Sequence, residues 1–273
     1  MPRVKVNDIK LNYEIEGTGN PFVLIHGLGA NLKMWFRQIP TFSKHYKTIV
    51  YDSRGHGDTE KPKEEYSLKT LIDDLKGLLD KLGIEKAHIL GLSMGAVIAQ
   101  LFTINHPNRV KTLILAAVTP ASAIPEGRTP ATAAVGRIFT EAMKIPENFD
   151  VKEFMITLAS YAFSEGMNEE LMNSLVGVME EMIDEESIIM ALNAMSNFDF
   201  RDQLPKINVP TLIINGDQDM LTPLSGAELA HRLIPHSKLV VIKGGSHCAF
   251  LEKAEEFNAA VLRFVKERGE SKG

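Results

Sequence analysis

Six stretches of the chain stay apolar for several residues without alternating: PFVLIHG, KTIVYDSRG, KAHILGLS, VKTLILAAV, PTLIINGD and KLVVIKGG. Each is short and rich in Val, Ile and Leu. Unbroken apolar runs of this length predict strands covered on both faces, which means a parallel sheet. Helical spacing lies between several of them. In SLKTLIDDLKGLLDKLG, the residues Leu71, Leu75, Leu78, Leu79 and Leu82 fall on one stripe, with Ser67 as a plausible N-cap and Gly83 as a stop. Strands alternating with helices predict an α/β fold: a mostly parallel, doubly wound sheet of about eight strands. The functional loops of such a sheet gather at the carboxyl ends of its strands.

The alternation breaks after Val118. From Thr119 to Phe200 the pattern is helical, with Leu171, Met172, Leu175, Val178, Met179, Met182 and Ile183 at helical spacing, and also Ile188, Leu192 and Met195. Strand pattern resumes at VPTLIINGD. Residues 119–200 are therefore expected to form a helical insertion over the sheet, leaving 1–118 and 201–273 as the core. The insertion holds fourteen Asp/Glu and four Lys/Arg, a net of -10, against -5 for the whole chain. It also holds eight of the 12 Met residues. An acidic solvated face over a Met-filled core accounts for this, and so does a deformable apolar ceiling over a pocket. The last residues, KERGESKG, read as a frayed polar tail.

Composition adds mainly exclusions. At 273 residues with 44% hydrophobic and 24% charged residues, the chain reads as one large domain with an insertion. The negative balance and the lack of a Lys/Arg-rich run argue against a nucleic-acid partner. The amino terminus alternates apolar and polar residues, with no signal-peptide or membrane-spanning run, so a cytoplasmic location is expected. One cysteine, Cys248, excludes an intrachain disulfide. No Cys/His cluster has zinc-ligand spacing, so neither metal nor cofactor is expected.

The chemistry centres on HILGLSMGAVIAQLF. Ser93 stands between a strand pattern and a helix pattern, with Gly91 and Gly95 two residues to either side. A sharp strand-to-helix turn forces its central residue outward and presses those two neighbours against backbone, so both need to be glycine. The Ser93 hydroxyl then projects from a helix start, and the Met94 N–H points towards an oxyanion formed on an attacked carbonyl. The pattern G-x-S-x-G is expected by chance about 0.07 times in a chain of this composition. The strand before it and the helix after it are what give it weight.

A nucleophilic serine needs a base, and the base needs a carboxylate. Of eight histidines, His45, His106, His231 and His236 read as surface residues, and His88 enters a strand. His26 reads as a structural hydrogen-bonding residue of the turn HGLGA. His247, in GGSHCAFLEKAEEF, lies in a glycine-rich loop between a last strand and a last helix, at the sheet edge that carries Ser93. Asp217 and Asp219 in GDQDMLTP are both candidates for the carboxylate. The second oxyanion donor is expected from HGLGANLKMW, at the Leu28 N–H, with Gly27 and Gly29 allowing close approach. Trp35 is expected in the core or on the pocket wall, where it would contact substrate. Cys248 reads as an inert small hydrophobe turned away from His247.

With these motifs in hand, the chain resembles the α/β-hydrolase superfamily across nearly its whole length. HGLGANLKMW, YDSRGHGDTEKP, GLSMGAVIAQLF, GDQDMLTP and GGSHCAFLEKAEEF stand in the family's order and at its usual spacings. Within it, the chain is similar to carboxylesterases, lactonases and related hydrolases with a helical cap after the sixth strand. The resemblance implies Asp219 as the carboxylate, with Asp217 as the fallback. Where the family usually has a serine after RGHG, this chain has Asp58; that segment is structural in the family. Haloalkane dehalogenases and epoxide hydrolases are similar too, but their nucleophile is an aspartate. The implied activity is hydrolysis of a small-molecule carboxylic ester with a short-to-medium acyl chain. A lactone or carbon–carbon bond hydrolase with the same triad, and a slow-turnover ligand receptor, are the alternatives. Monomer and homodimer remain equally open.

Overall fold

Alternate residues of the central strands enter different layers of the molecule. In the strand Ala87–Leu92, Ile89 joins one buried cluster, and Leu90 and Leu92 join another; in Val110–Ala116, Leu113 and Leu115 part in the same way from Ile114 and Ala116. Successive side chains of a strand leave on opposite faces. An unbroken apolar run therefore supplies two cores at once, and both faces of the sheet are covered.

The computed structural model describes residues 2–122, 149–164, 169–180 and 184–269. Among these, the strands are β1 (Arg3–Val6), β2 (Ile9–Glu16), β3 (Pro21–Ile25), β4 (Lys47–Tyr51), β5 (Ala87–Leu92), β6 (Val110–Ala116), β7 (Thr211–Gly216) and β8 (Lys238–Ile242). They form one sheet in the order β1-β2-β4-β3-β5-β6-β7-β8. β1 and β2 pair antiparallel, as do β2 and β4, and every pairing from β4 across to β8 is parallel.

Among the described residues, helices of ten residues or more are α1 (Leu68–Lys81), α2 (Met94–Asn105), α3 (Val151–Ala162), α4 (Glu169–Glu180), α5 (Glu185–Met195), α6 (Leu224–Leu233) and α7 (Ala254–Gly269). α1, α2 and α6 pack on one face of the sheet through residues such as Leu75, Ile98 and Ala227, and α7 covers the other through Phe257, Val261 and Phe264. Leu71, Leu75, Leu78 and Leu79 of the expected stripe are buried, while Leu82, the C-cap just beyond α1, is half-buried. Ser67 caps the helix, exchanging hydrogen bonds with Thr70, and Gly83 just beyond its end takes φ +66.

One strand departs from expectation. KLVVI predicts a strand covered on both faces, yet Val241 of β8 is 37% exposed. β8 is the last strand of the sheet and pairs only with β7, so the flanking helices cover it incompletely.

Between β6 and β7 the chain runs through α3, α4 and α5. α3 and α5 share a small core of their own, built from Phe154, Met155, Leu158, Ile188 and Leu192. α4 docks on the turn after β3, where Asn31 Nδ2 donates to the Val178 carbonyl at 3.3 Å. Much of the expected insertion, residues 123–148, 165–168 and 181–183, lies outside the described residues, as do Met182 and Ile183 of its apolar stripe and the last four residues of the tail. Among the described residues, no helix is long and apolar enough to cross a membrane.

Candidate active site

Ser93 sits where β5 ends and α2 begins, with φ +54 and ψ -114. A non-glycine residue in that region is strained, and the strain persists only because the surroundings enforce it. A Cβ on Gly91 would run into the Gly95 carbonyl, and one on Gly95 would run into the Ile25 carbonyl. The two glycines therefore let the start of α2 come down onto β5 and β3. The Ser93 side chain makes no capping bond to its helix, so its hydroxyl is not engaged by the turn.

The loops after β7 and β8 are laced together. A Cβ on Gly216 would collide with the Gly245 carbonyl. Backbone bonds run from Asp217 N–H to the Ile242 carbonyl at 3.2 Å and from Gln218 N–H to the Gly245 carbonyl at 2.9 Å. The two candidate carboxylates separate here. Asp217 is exposed and accepts the Gly244 N–H at 2.7 Å. Asp219 is buried, and its two oxygens lie 3.0 and 3.2 Å from His247 Nδ1. Asp219 Oδ1 also accepts the N–H groups of Leu221 and Thr222, at 2.9 and 2.8 Å.

Thr222 completes this cluster, and the motif reading did not anticipate it. Its hydroxyl donates to Asp219 Oδ2 at 2.7 Å and lies 3.1 Å from His247 Nδ1. The single hydroxyl hydrogen goes to the carboxylate, so Oγ1 faces His247 as an acceptor. A carboxylate and an acceptor oxygen on one side of the ring both favour hydrogen on Nδ1, which leaves Nε2 with a free lone pair.

The loop after β3 is fixed from below. His26 Nδ1 lies 2.7 Å from the Gly27 carbonyl, and His26 Nε2 accepts the Ser53 N–H at 2.9 Å. Burial lowers the pKa of His26 to about 4, so the ring is a neutral strut, with hydrogen on Nδ1. Asp52 accepts N–H groups from Leu32 at 2.7 Å and Asp58 at 2.8 Å. Because Asp58 contributes through its backbone, the family's serine is not required there. Gly27 lies against Ser93: a Cβ on it would sit 3.7 Å from Ser93 Cβ. Among the described residues, neither the Leu28 nor the Met94 amide has a hydrogen-bond partner.

Ser93, Leu28, Met94 and His247 all line one cavity of about 620 Å³. Met34, Met155, Leu158, Phe163, Met195 and Phe250 supply apolar wall. Ser122, Asn197 and Ser225 add hydroxyl and amide groups. Among the described residues, the wall includes no Asp, Glu, Lys or Arg, and no group of His, Cys, Asp and Glu side chains is arranged to hold a metal ion.

Trp35 takes the core, one of its two expected places, and does not reach this cavity, so the expected contact with substrate is not made. The 3-10 turn Leu32–Trp35 turns Met34 towards the cavity, while Trp35 is wholly buried behind the wall, 5.4 Å from the ring of Phe250. Cys248 is buried and borders the cavity, and desolvation pushes its thiol well above the ordinary range, as expected of an inert side chain. His88 is buried within the sheet, with Nδ1 2.8 Å from Thr112 Oγ1.

A family model for the alpha/beta hydrolase fold matches residues 20–139 and 184–254. The chain is 31% identical to 3-oxoadipate enol-lactonase 2 of Acinetobacter baylyi, over 95% of this chain and 94% of that protein. Among solved structures it is similar to an esterase from Exiguobacterium antarcticum (TM-score 0.86, 28% identity, 97% of this chain and 98% of the other). It is also similar to a bromoperoxidase from Bacillus anthracis (TM-score 0.85, 30% identity, 97% and 99%). With its eight-stranded sheet, its strained serine turn and these relatives, the chain belongs to the alpha/beta hydrolase family.

Proposed function

We propose that this protein is a serine hydrolase that cleaves carboxylic esters of short-to-medium acyl chains through an acyl-enzyme. Ser93 is the nucleophile, His247 the base and Asp219 the carboxylate that orients it. The observation that carries this reading is the 3.0 Å contact of Asp219 with Nδ1 of His247, a residue that lines the same cavity as Ser93. In the first step Ser93 Oγ bonds to the ester carbonyl carbon, and its proton passes to His247 Nε2. The Leu28 and Met94 N–H groups receive the oxyanion, a contribution of about 3–4 kcal/mol per donor in comparable sites. Collapse of the tetrahedral species breaks the bond to the alcohol, which leaves with the proton from His247. Water, activated by the same imidazole, then releases the acid.

The cavity supports the substrate class. Among the described residues the wall is largely apolar and carries no Asp, Glu, Lys or Arg, which favours a neutral acyl chain, and thioether side chains adapt to several shapes. Residues 119–200 act, in this reading, as a cap over the site.

Reaction with an organophosphate followed by mass spectrometry tests the assignment. One adduct is expected, on Ser93, with esterase activity lost in Ser93→Ala. Labelling elsewhere, or full activity in that variant, overturns it. The enol-lactonase relative favours a second reading, ring-opening of a lactone by the same residues. Relative kcat/KM on p-nitrophenyl esters and on neutral lactones separates the two.

A further inference from the structure

The two residues on either side of His247 are held by one carbonyl. Ala162, the last residue of α3, accepts Ser246 Oγ–H at 2.7 Å and Cys248 N–H at 3.0 Å. Glu252 adds a second tie. Its Oε1 accepts the Ser164 N–H at 2.8 Å and hydroxyl at 3.0 Å, while its Oε2 accepts the Ser246 N–H at 2.9 Å. These bonds join the end of α3, whose Leu158, Ala159 and Ala162 line the cavity, to the loop that carries His247.

From this juxtaposition we propose that Glu252 is a positioning residue for His247 and that it locks the imidazole to the docked state of α3. The proposal rests on the reading of His247 as the base. The last carbonyls of a helix have no partners within it. The C-cap residue Phe163 is extended and stops α3, and the carbonyl of the last helical residue, Ala162, finds donors in the His247 loop. A carboxylate only accepts, so Glu252 draws N–H and O–H groups from both sides and brings the loop and the helix end together. Ser246 and Cys248 are buried. Lifting α3 away would strand the buried Ser246 hydroxyl and leave the Cys248 N–H only its 3.0 Å bond to Ser246 Oγ, a costly arrangement. The wall of the cavity and the imidazole therefore move as one unit, and a displaced wall carries the base out of register with Ser93.

Two variants of the full chain test this. Glu252→Gln keeps the size of the side chain but replaces one acceptor oxygen with a donor. It is expected to lower kcat for p-nitrophenyl acetate about tenfold with KM changed less than twofold, and to speed amide hydrogen exchange in residues 159–164 and 244–248 together. Ser164→Ala removes one donor on the helix side and touches nothing in the His247 loop. It is expected to slow kcat about threefold and to speed exchange in 244–248 as well as around itself. It also serves if Glu252→Gln fails to fold. Unchanged kcat in both variants, or faster exchange confined to 159–164, overturns the proposal. Organophosphate labelling of the wild-type chain reports on the base and nucleophile separately, whereas the exchange measurement reads the coupling whatever the chemistry.

Discussion

The hydroxyl of Thr222 donates to Asp219 Oδ2 at 2.7 Å. It reinforces a carboxylate already held by two backbone N–H groups, and it leaves Thr222 Oγ1 as an acceptor 3.1 Å from His247 Nδ1. Thr222→Val keeps the branched shape and removes both polar contacts. A hydrogen bond to a charged group contributes about 1.5–3 kcal/mol, so kcat is expected to fall tenfold or more. Thr222→Ser should recover most of it. Steady-state kinetics on a short-chain ester decides the matter; activity kept in Thr222→Val and lost in Thr222→Ser would assign Thr222 to packing.

The two aspartates of GDQDMLTP are expected to behave differently. Asp219→Asn should lower kcat about 10³–10⁴-fold, because an amide beside Nδ1 favours the wrong tautomer. Asp217→Asn removes only the charge from an exposed acceptor of the Gly244 N–H and should stay within a few-fold of wild type. The opposite ranking would reassign the carboxylate.

Glycines give a paired test of strain. Gly91→Ala drives a methyl into the Gly95 carbonyl and should abolish organophosphate labelling of Ser93, together with a large fall in Tm. Gly177, in α4, has no atom of the described residues, apart from its own helix backbone and chain neighbours, within 4 Å of an added Cβ. Gly177→Ala should raise stability by about 0.5–1 kcal/mol through helix propensity alone. Thermal unfolding of the two variants reads both signs.

Stability should fall in mild acid. Burial lowers the pKa of His26, His56 and His88 to about 4, about 3 and about 4, from an ordinary 6.5, with the neighbouring His26 adding to the effect on His56. The unfolded chain takes up protons near pH 6.5 and the native chain does not until much lower, so stability drops as pH falls through that window. The slope is about 1.4 kcal/mol per pH unit for each group. Asp52 and Asp74, whose carboxyls burial raises, protonate first in the native state and soften the loss at the acid end. Urea unfolding at pH 7.5 and 5.5 should differ by about 2–4 kcal/mol. His88→Gln should remove one group's share, and a flat profile would sink the argument.

The parts of this molecule legible in its sequence are those that local periodicity encodes. Apolar runs marked the central strands because each strand feeds two cores, and the Ser67 cap and leucine stripe marked α1. Gly91 is legible because the carbonyl that crowds it, on Gly95, lies four residues away, whereas the carbonyl that crowds Gly95 belongs to Ile25 of β3, beyond the reach of local spacing. Spacing leaves Trp35 between core and pocket wall because the direction taken by each side chain of a 3-10 turn depends on tertiary packing; Trp35 goes to the core, and Met34, one residue earlier, meets the cavity. Asp217 and Asp219 were inseparable from spacing alone, since the register of the loop against His247 is set by Gly216 meeting Gly245 across the sheet. Glu252 lay beyond reach: its bonds to Ser164 span 88 residues, and its own surroundings read as an ordinary helix start.

The shared carbonyl of Ala162 also constrains how such a protein can diversify. Exchanging α3 for another segment, to admit a bulkier or longer substrate, alters the surface that holds the imidazole loop. A graft that enlarges the chamber while shifting residue 162 by one position along the chain would turn that carbonyl away from Ser246 and Cys248. New specificity would then arrive together with a misplaced base, so successful grafts should be those that keep the last turn of α3 and vary the turns before it.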